Sequence, residues 1–213
     1  MKRIKQTVKL CIPRALMIQK LKKNCLNSVL FTFDDGPDET ITPLILERLE
    51  TYGVRAVFFI VGRRAAKHPQ LLRQINSNGH TIGNHTFDHP NDKSYPYHKY
   101  KRDLINCQKT IYKITGTRPV FFRPPRGLIT FASLLAAQHL ALKITRWSVF
   151  GHEWDYAKND DAQTIGERLL RLISPGDIVC LHDDNAKVPA ILDFILPSLI
   201  SKNIDLFSGI KNL

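Results

Sequence analysis

Apolar runs of strand length alternate with amphipathic stretches along most of this chain. Leu30-Phe31-Thr32-Phe33 is one such run, and it ends in Asp34-Asp35-Gly36-Pro37, where glycine and proline force a turn. Thr42-Pro43 opens a helix with the apolar stripe Leu44, Ile45, Leu49 and Tyr52, and Gly53 stops it. Ala56 to Val61 is almost unbroken in its apolarity, the pattern of a strand covered on both faces. Pro69 opens a helix through Leu71, Leu72 and Ile75 that closes at Asn78-Gly79, and Thr81-Ile82 reads as a short strand. From Tyr97 to Ile114, Tyr100, Leu104, Cys107, Ile111 and Ile114 recur at helical spacing, and Gly116 ends the pattern.

The rhythm then continues. Val120 to Phe122 is strand-like, Phe131 to His139 a short helix, and Lys143 to Val149 a strand. Thr164 to Ile173 is helical, Ile178 to Leu181 a strand, Val188 to Ile200 a helix bent by Pro197, and Ile204 to Phe207 a last strand. Strands alternating with helices in this way predict a mostly parallel sheet with helices outside, either doubly wound or closed into a barrel.

Composition narrows the picture. The chain has 213 residues and is 43% hydrophobic, enough for one core of ordinary size, and no linker or repeat divides it. Its cysteines, at 11, 25, 107 and 180, form no metal-binding pair and no disulfide framework. Net charge is +12, and residues 1 to 33 hold eight Lys or Arg and no acid. We therefore separate a basic arm, residues 1–28, from a single domain, residues 29–213. The arm could meet an anionic lipid surface or polymer, with weak attachment through Leu10, Ile12, Leu16, Met17 and Leu21. It could equally be a solvated lead-in to the first strand. Removal of residues 1 to 23 is then expected to leave core activity intact. No spanning helix or signal peptide is evident, which suggests a cytoplasmic or membrane-surface protein. No nucleic-acid motif accompanies the charge, so no nucleic-acid partner is expected.

Candidate chemistry collects where ligands bind in parallel α/β folds, at the carboxyl ends of the strands. Asp34-Asp35 follows the first strand, His85 and His89 follow Thr81-Ile82, and Arg123 follows Val120 to Phe122. Trp147 lies near the end of the strand from Lys143, and His182-Asp183 follows Ile178 to Leu181. On the dipeptide alone, Asp34-Asp35 reads as well as a solvated acidic turn. His85 and His89, four apart, fall on one side of a helical turn. With Asp35 they make a two-nitrogen, one-oxygen metal site with positions left for water and substrate. Such a metal activates water and polarises a carbonyl. Asp34 is then free as a base, which Arg123 can steady by a two-pronged hydrogen bond. His182, on the opposite rim, is available to protonate an amide leaving group.

The motifs resemble those of the polysaccharide deacetylases, the NodB-homology domain of carbohydrate esterase family 4. Thr32-Phe33-Asp34-Asp35-Gly36-Pro37 resembles the first motif, with its base and a metal ligand. His85-Thr86-Phe87-Asp88-His89, after Gly79-His80-Thr81-Ile82-Gly83-Asn84, resembles the second, which supplies two metal histidines. Arg123-Pro124-Pro125-Arg126-Gly127 resembles the third and Leu181-His182-Asp183 the fifth. The likeness spans Val29 to Gly209. It implies a distorted (β/α) barrel of about seven strands, and hydrolysis of N-acetyl groups from an amino-sugar polymer or glycoconjugate. It also implies one divalent metal ion, zinc by donor type although cobalt, nickel or manganese suit similar ligands. Substrate-binding positions carried over are Pro125, Arg126, Trp147 and Leu181, the last as an apolar wall for the acetyl methyl.

The fourth motif departs from the family. In Trp147-Ser148-Val149-Phe150-Gly151-His152-Glu153-Trp154-Asp155, Phe150 replaces a carboxylate, so His182 needs Glu153 or Asp155 to orient it. Arg126 stands where tyrosine is common; it could favour an anionic glycan or simply face solvent. Removal of formyl from a lipid-linked amino sugar, de-O-acetylation, and an inactive glycan-binding relative are the alternative readings.

Overall fold

The computed structural model describes residues 17–22, 27–91, 94–154 and 159–213. Its elements run β1 (Met17–Ile18), β2 (Leu30–Asp34), α1 (Ile41–Thr51), β3 (Ala56–Ile60), α2 (Gly62–Lys67), α3 (Pro69–Ser77) and β4 (Thr81–Asn84). They continue with α4 (Tyr97–Thr115), β5 (Phe121–Phe122), α5 (Phe131–His139), β6 (Lys143–Thr145), β7 (Val149–Phe150), α6 (Ala162–Leu172), β8 (Ile178–His182) and α7 (Val188–Ser201). Among the described residues the sheet has eight strands in the order β1-β6-β5-β4-β3-β2-β8-β7. Every neighbouring pair is parallel. The fold is a distorted (β/α) barrel, with one strand more than the seven or so expected.

The period of two along each strand sorts the side chains. In β2, Phe31 and Phe33 join the large core under the helices with Ile45, Leu49, Ile191 and Ile195. Leu30 packs on the other face with Val57, Phe59 and Ile178. Thr32 and Asp34 share that inner face by alternation, and Asp34 therefore arrives inside the rim. In β8 the same alternation sends Val179 and Leu181 to the helical core and leaves Ile178, Cys180 and His182 facing inward. The register pairs Asp34 with Phe59 on one side and with His182 on the other. His182 is thus on the strand next to the base, not across the rim from it.

Three sequence expectations about elements are corrected. Lys143 to Val149 is not one strand. β6 pairs with β5 and β1, β7 pairs with β8, and the chain turns between them at Arg146-Trp147-Ser148. Ile204 to Phe207 is not a strand beyond a single bridge between Asp205 and Ser28. The Asp205 carboxylate accepts from the backbone N–H groups of Phe207 and Ser208 at 2.8 and 3.0 Å, which turns the chain into a 3-10 helix, Ser208–Asn212. α7 continues through Pro197 to Ser201.

The third correction concerns the arm. Met17 and Ile18 pair with Ile144 and Thr145 as strand β1. Lys20 then bridges to Asp177, the Leu21 N–H donates to the Gly176 carbonyl at 2.9 Å, and Leu21 is buried. This short strap joins β6 to the start of β8, and so draws the two ends of the sheet together. Leu10, Ile12 and Leu16, the other proposed attachment residues, lie outside the described residues. No helix among the described residues is long and apolar enough to cross a membrane.

Candidate active site

The carboxyl ends of β2, β4, β5 and β8 surround a cleft of about 690 Å³. It is lined by Asp34, Asp35, His85, His89, Asn91, Arg126, Trp147, Phe150, Trp154, His182 and Asp184. Asp34 is the last residue of β2, and Asp35 takes a left-handed backbone, φ 78°, that swings its carboxylate out of the strand. The next residue has no room for a side chain, since a Cβ on Gly36 would lie 1.9 Å from the Asp183 carboxylate. Asp183 itself is fully buried and accepts from Thr42 Oγ1 at 3.0 Å. Burial, followed by the charge of Asp184, pushes its pKa well up, and it packs beneath Gly36 rather than lining the cleft.

Asp35, His85 and His89 offer one ligand atom each within 4.8 Å of one another. Asp35 Oδ1 lies 3.2 Å from His85 Nε2 and 3.1 Å from His89 Nε2. The His85 Nδ1–H donates to the Arg123 carbonyl at 2.7 Å, and a carbonyl can only accept. In the neutral ring Nε2 is then a bare lone pair aimed at a carboxylate oxygen, and Asp35 Oδ1 is buried without a hydrogen bond. Facing acceptors at that distance call for a cation between them, and two imidazoles with one carboxylate form a donor set that a divalent ion takes. The residues therefore fit a metal.

The histidines meet by a loop, which corrects the helical-turn expectation. Thr86 and His89 both have positive φ, 69° and 53°. Asn84 Oδ1 accepts from the Thr86 N–H at 2.8 Å, and Thr86 Oγ1 accepts from the His89 N–H at 3.1 Å. Asp103, on α4, accepts from the N–H groups of Phe87 and Asp88 at 3.1 and 3.2 Å and so braces the loop from below. The sequence reading missed Asp103, because nothing in the helical pattern marks an inward-facing aspartate as a loop partner.

Arg123 is the largest fully buried side chain among the described residues. Its NH1 donates to Asp34 Oδ1 at 2.6 Å and to Thr32 Oγ1 at 2.7 Å, Nε donates to the Thr145 carbonyl at 3.1 Å, and NH2 to the Arg146 carbonyl at 3.0 Å. The guanidinium lies 4.1 Å above the Phe59 ring. Asp34 is thus held by one prong, not two; the second prong is used on the β6–β7 turn. The Cys180 thiol sits 3.5 Å from the other Asp34 oxygen.

Glu153 does reach His182. Its Oε1 accepts from the His182 backbone N–H and from the ring Nδ1–H, each at 2.8 Å. Burial works against a charged ring, but the Glu153 hydrogen bond and charge outweigh it and raise the His182 pKa to about 9. Phe150 stands edge-on to His182, with ring centroids 5.6 Å apart. Asp155, the other proposed orienting group, lies outside the described residues. Trp147 and Arg126 line the cleft, whereas Pro125 and Leu181 are buried and do not. Leu181 faces the helices, for the alternation reason given above. The apolar wall is made instead by Trp147, Phe150 and Trp154, the last a residue the sequence reading did not single out. Asp184, also missed, lines the cleft while paired with Arg64 at 2.8 Å.

Residues 22–145 match the family model described as Polysaccharide deacetylase. The chain belongs to this family. A peptidoglycan-N-acetylglucosamine deacetylase of Bacillus cereus is 36% identical over 179 residues, 82% of this chain and 64% of that protein. The chain thus spans less than two thirds of that relative's length. A chitooligosaccharide deacetylase of Azorhizobium caulinodans is 31% identical over 195 residues, covering 84% of this chain and 91% of that one. Among solved structures, the Bc1960 peptidoglycan N-acetylglucosamine deacetylase superposes with a TM-score of 0.83 at 32% identity, covering 91% of this chain and 93% of that one.

Proposed function

We propose that this chain is a metal-dependent hydrolase that removes N-acetyl groups from an amino-sugar polymer or glycoconjugate. The observation that carries the reading is a convergence on one rim. Three ligand atoms face each other there, beside an aspartate held by a buried arginine and a histidine held by a buried glutamate. Asp35, His85 and His89 would hold the ion, and zinc is the metal their donor types suit. When bound, it would polarise the acyl carbonyl and favour ionisation of a water.

The chain's own residues supply the proton traffic. Asp34, kept as an oriented acceptor by Arg123, takes a proton from the attacking water. The water oxygen adds to the acyl carbon, the C–N bond breaks, and His182 delivers its proton to the departing nitrogen. Acetate and a free amine result. His182 keeps that proton at neutral pH because Glu153 holds its Nδ1–H, which leaves Nε2–H as the ring's other donor. Trp147, Phe150 and Trp154 exclude water and pack on the sugar. We further propose that residues 29–213 form the single deacetylase domain, with the strap at Met17 to Leu21 built into it.

The test is acetate release from N-acetylglucosamine oligomers and from peptidoglycan, with protein as purified, stripped by chelator, and reloaded with zinc. Activity lost on stripping and regained on reloading supports the reading. Absence of product from every glycan at full metal loading overturns it.

A further inference from the structure

Beside the active cleft lies a second depression of about 690 Å³, and the two share Arg126, Trp147 and Phe150. Lys20, from the strap, and Arg146, from the β6–β7 turn, line it as well. The carboxylate in its lining, Asp177, is already engaged. It lies 2.9 Å from Lys20 Nζ and accepts from Ser148 Oγ at 2.7 Å and from the Ser174 N–H at 2.9 Å. Arg146 has no carboxylate partner among the described residues, its Nε is buried without a hydrogen bond, and its guanidinium lies 5.6 Å from the Trp147 ring centre. Arg126 is exposed at the shared wall on a left-handed backbone, φ 57°. The neighbouring Gly127 seats Trp147, for a Cβ there would come within 2.5 Å of the indole.

Two guanidinium groups with no carboxylate partner among the described residues, set beside an aromatic wall, have a recognisable partner chemistry. A planar fork matches carboxylate or phosphate oxygens in pairs, and a cationic recess with low-dielectric walls concentrates anions. The aromatic faces of Trp147 and Phe150 run from one depression into the next, with ring centroids 5.2 Å apart, so a sugar chain can lie along both.

We propose that the second depression is a subsite for a glycan unit bearing an anionic substituent, a carboxylate or a phosphate, adjacent to the amino sugar being deacetylated. The proposal rests on the deacetylase reading of the neighbouring cleft and adds its substrate class. Arg146 and Arg126 bind the anion, Lys20 contributes field, and the shared tryptophan sets the spacing between the two sugar units.

The experiment compares kcat/KM on a neutral N-acetylglucosamine oligomer, on a glycan whose alternate units carry carboxylates, and on a phosphorylated oligomer. The proteins are wild type, Arg146→Gln and Arg146→Lys, at low and high salt, with metal content and Tm recorded for each. Wild type should prefer one of the anionic glycans, and the preferred one identifies the substituent. That preference should fall about tenfold in Arg146→Gln, less in Arg146→Lys, and shrink with added salt. The same ratios measured as binding affinities keep the test independent of turnover. An anionic-to-neutral ratio equal in wild type and Arg146→Gln, in rate or in binding, overturns the subsite. If no glycan is turned over while the binding ratio still falls, the deacetylase reading fails and the anion site stands.

Discussion

Asp34 and Asp35 are neighbours in sequence and opposites in environment. Asp34 is almost fully buried and tied to Arg123, while Asp35 has turned out of the strand toward two imidazoles. Their amide variants should therefore fail differently. Asp35→Asn removes the anionic ligand, so metal affinity should fall and excess metal should restore part of the turnover. Asp34→Asn keeps all three ligand groups but removes the proton acceptor, so metal should stay while turnover drops by about 10²-fold or more without rescue. Bound metal and acetate release, measured on both, check this. Metal lost from Asp34→Asn and kept by Asp35→Asn would reverse the roles. A second residue-scale expectation concerns Glu153. It raises the His182 pKa, so the acid form is present below about 9 and disappears as pH rises through that value. Glu153→Gln keeps an oxygen acceptor but loses the charge, so the alkaline limb of the kcat/KM profile should move down toward the ordinary histidine value of 6.5. A limb that stays in place would remove His182 from the acid role.

At the scale of elements, the loop between β4 and α4 decides whether the two histidines meet. Asp103 reaches it from α4 and satisfies two successive backbone N–H groups. Asp103→Ala should leave both unpaired, loosen the loop, and lower metal affinity by about 10- to 100-fold, as loss of an outer partner of a metal ligand does. Chelator competition measures that. Unchanged affinity would show that the loop holds its shape from Asn84 and Thr86 alone. The same loop shows what sequence could disclose. The ligand types and their nearness in sequence were legible, but the conformation was not, because it depends on positive φ at Thr86 and His89 and on side-chain bonds within the loop. Strands with long apolar runs, such as Ala56 to Ile60, declared themselves because burial on both faces leaves no polar alternation. The break inside Lys143 to Val149 carries no glycine or proline, and it is set by the two different neighbours that β6 and β7 find. β1 is two residues long within a basic stretch, too short to show any period. Glu153 was named as a possible partner for His182, but its double contact depends on how the chain folds back after Gly151.

For the whole molecule the deciding feature is closure. A curled parallel sheet with free ends exposes backbone donors and the apolar interior between them. Here the strap from Met17 to Leu21 covers that gap, through the pairing of β1 with β6, the Leu21–Gly176 backbone bond and the Lys20–Asp177 ion pair. The expectation that residues 1 to 23 can be removed harmlessly is thus replaced by a sharper one, in which the position of the cut matters. Removing residues 1–16 spares every one of these contacts, so Tm and turnover should hold. Removing residues 1–23 exposes the site of Leu21, worth about 1.5–3 kcal/mol when fully buried, and frees the edge of β6. For a chain of this size the drop in Tm should be on the order of 10 °C. Lys20 also lines the second depression, so the shorter protein, assayed well below its Tm, should lose part of its preference for anionic glycans. Thermal melts and the anionic-to-neutral ratio on both truncations separate the two contributions. Equal melting temperatures for the two proteins would mean that the strap lies on the barrel without closing it.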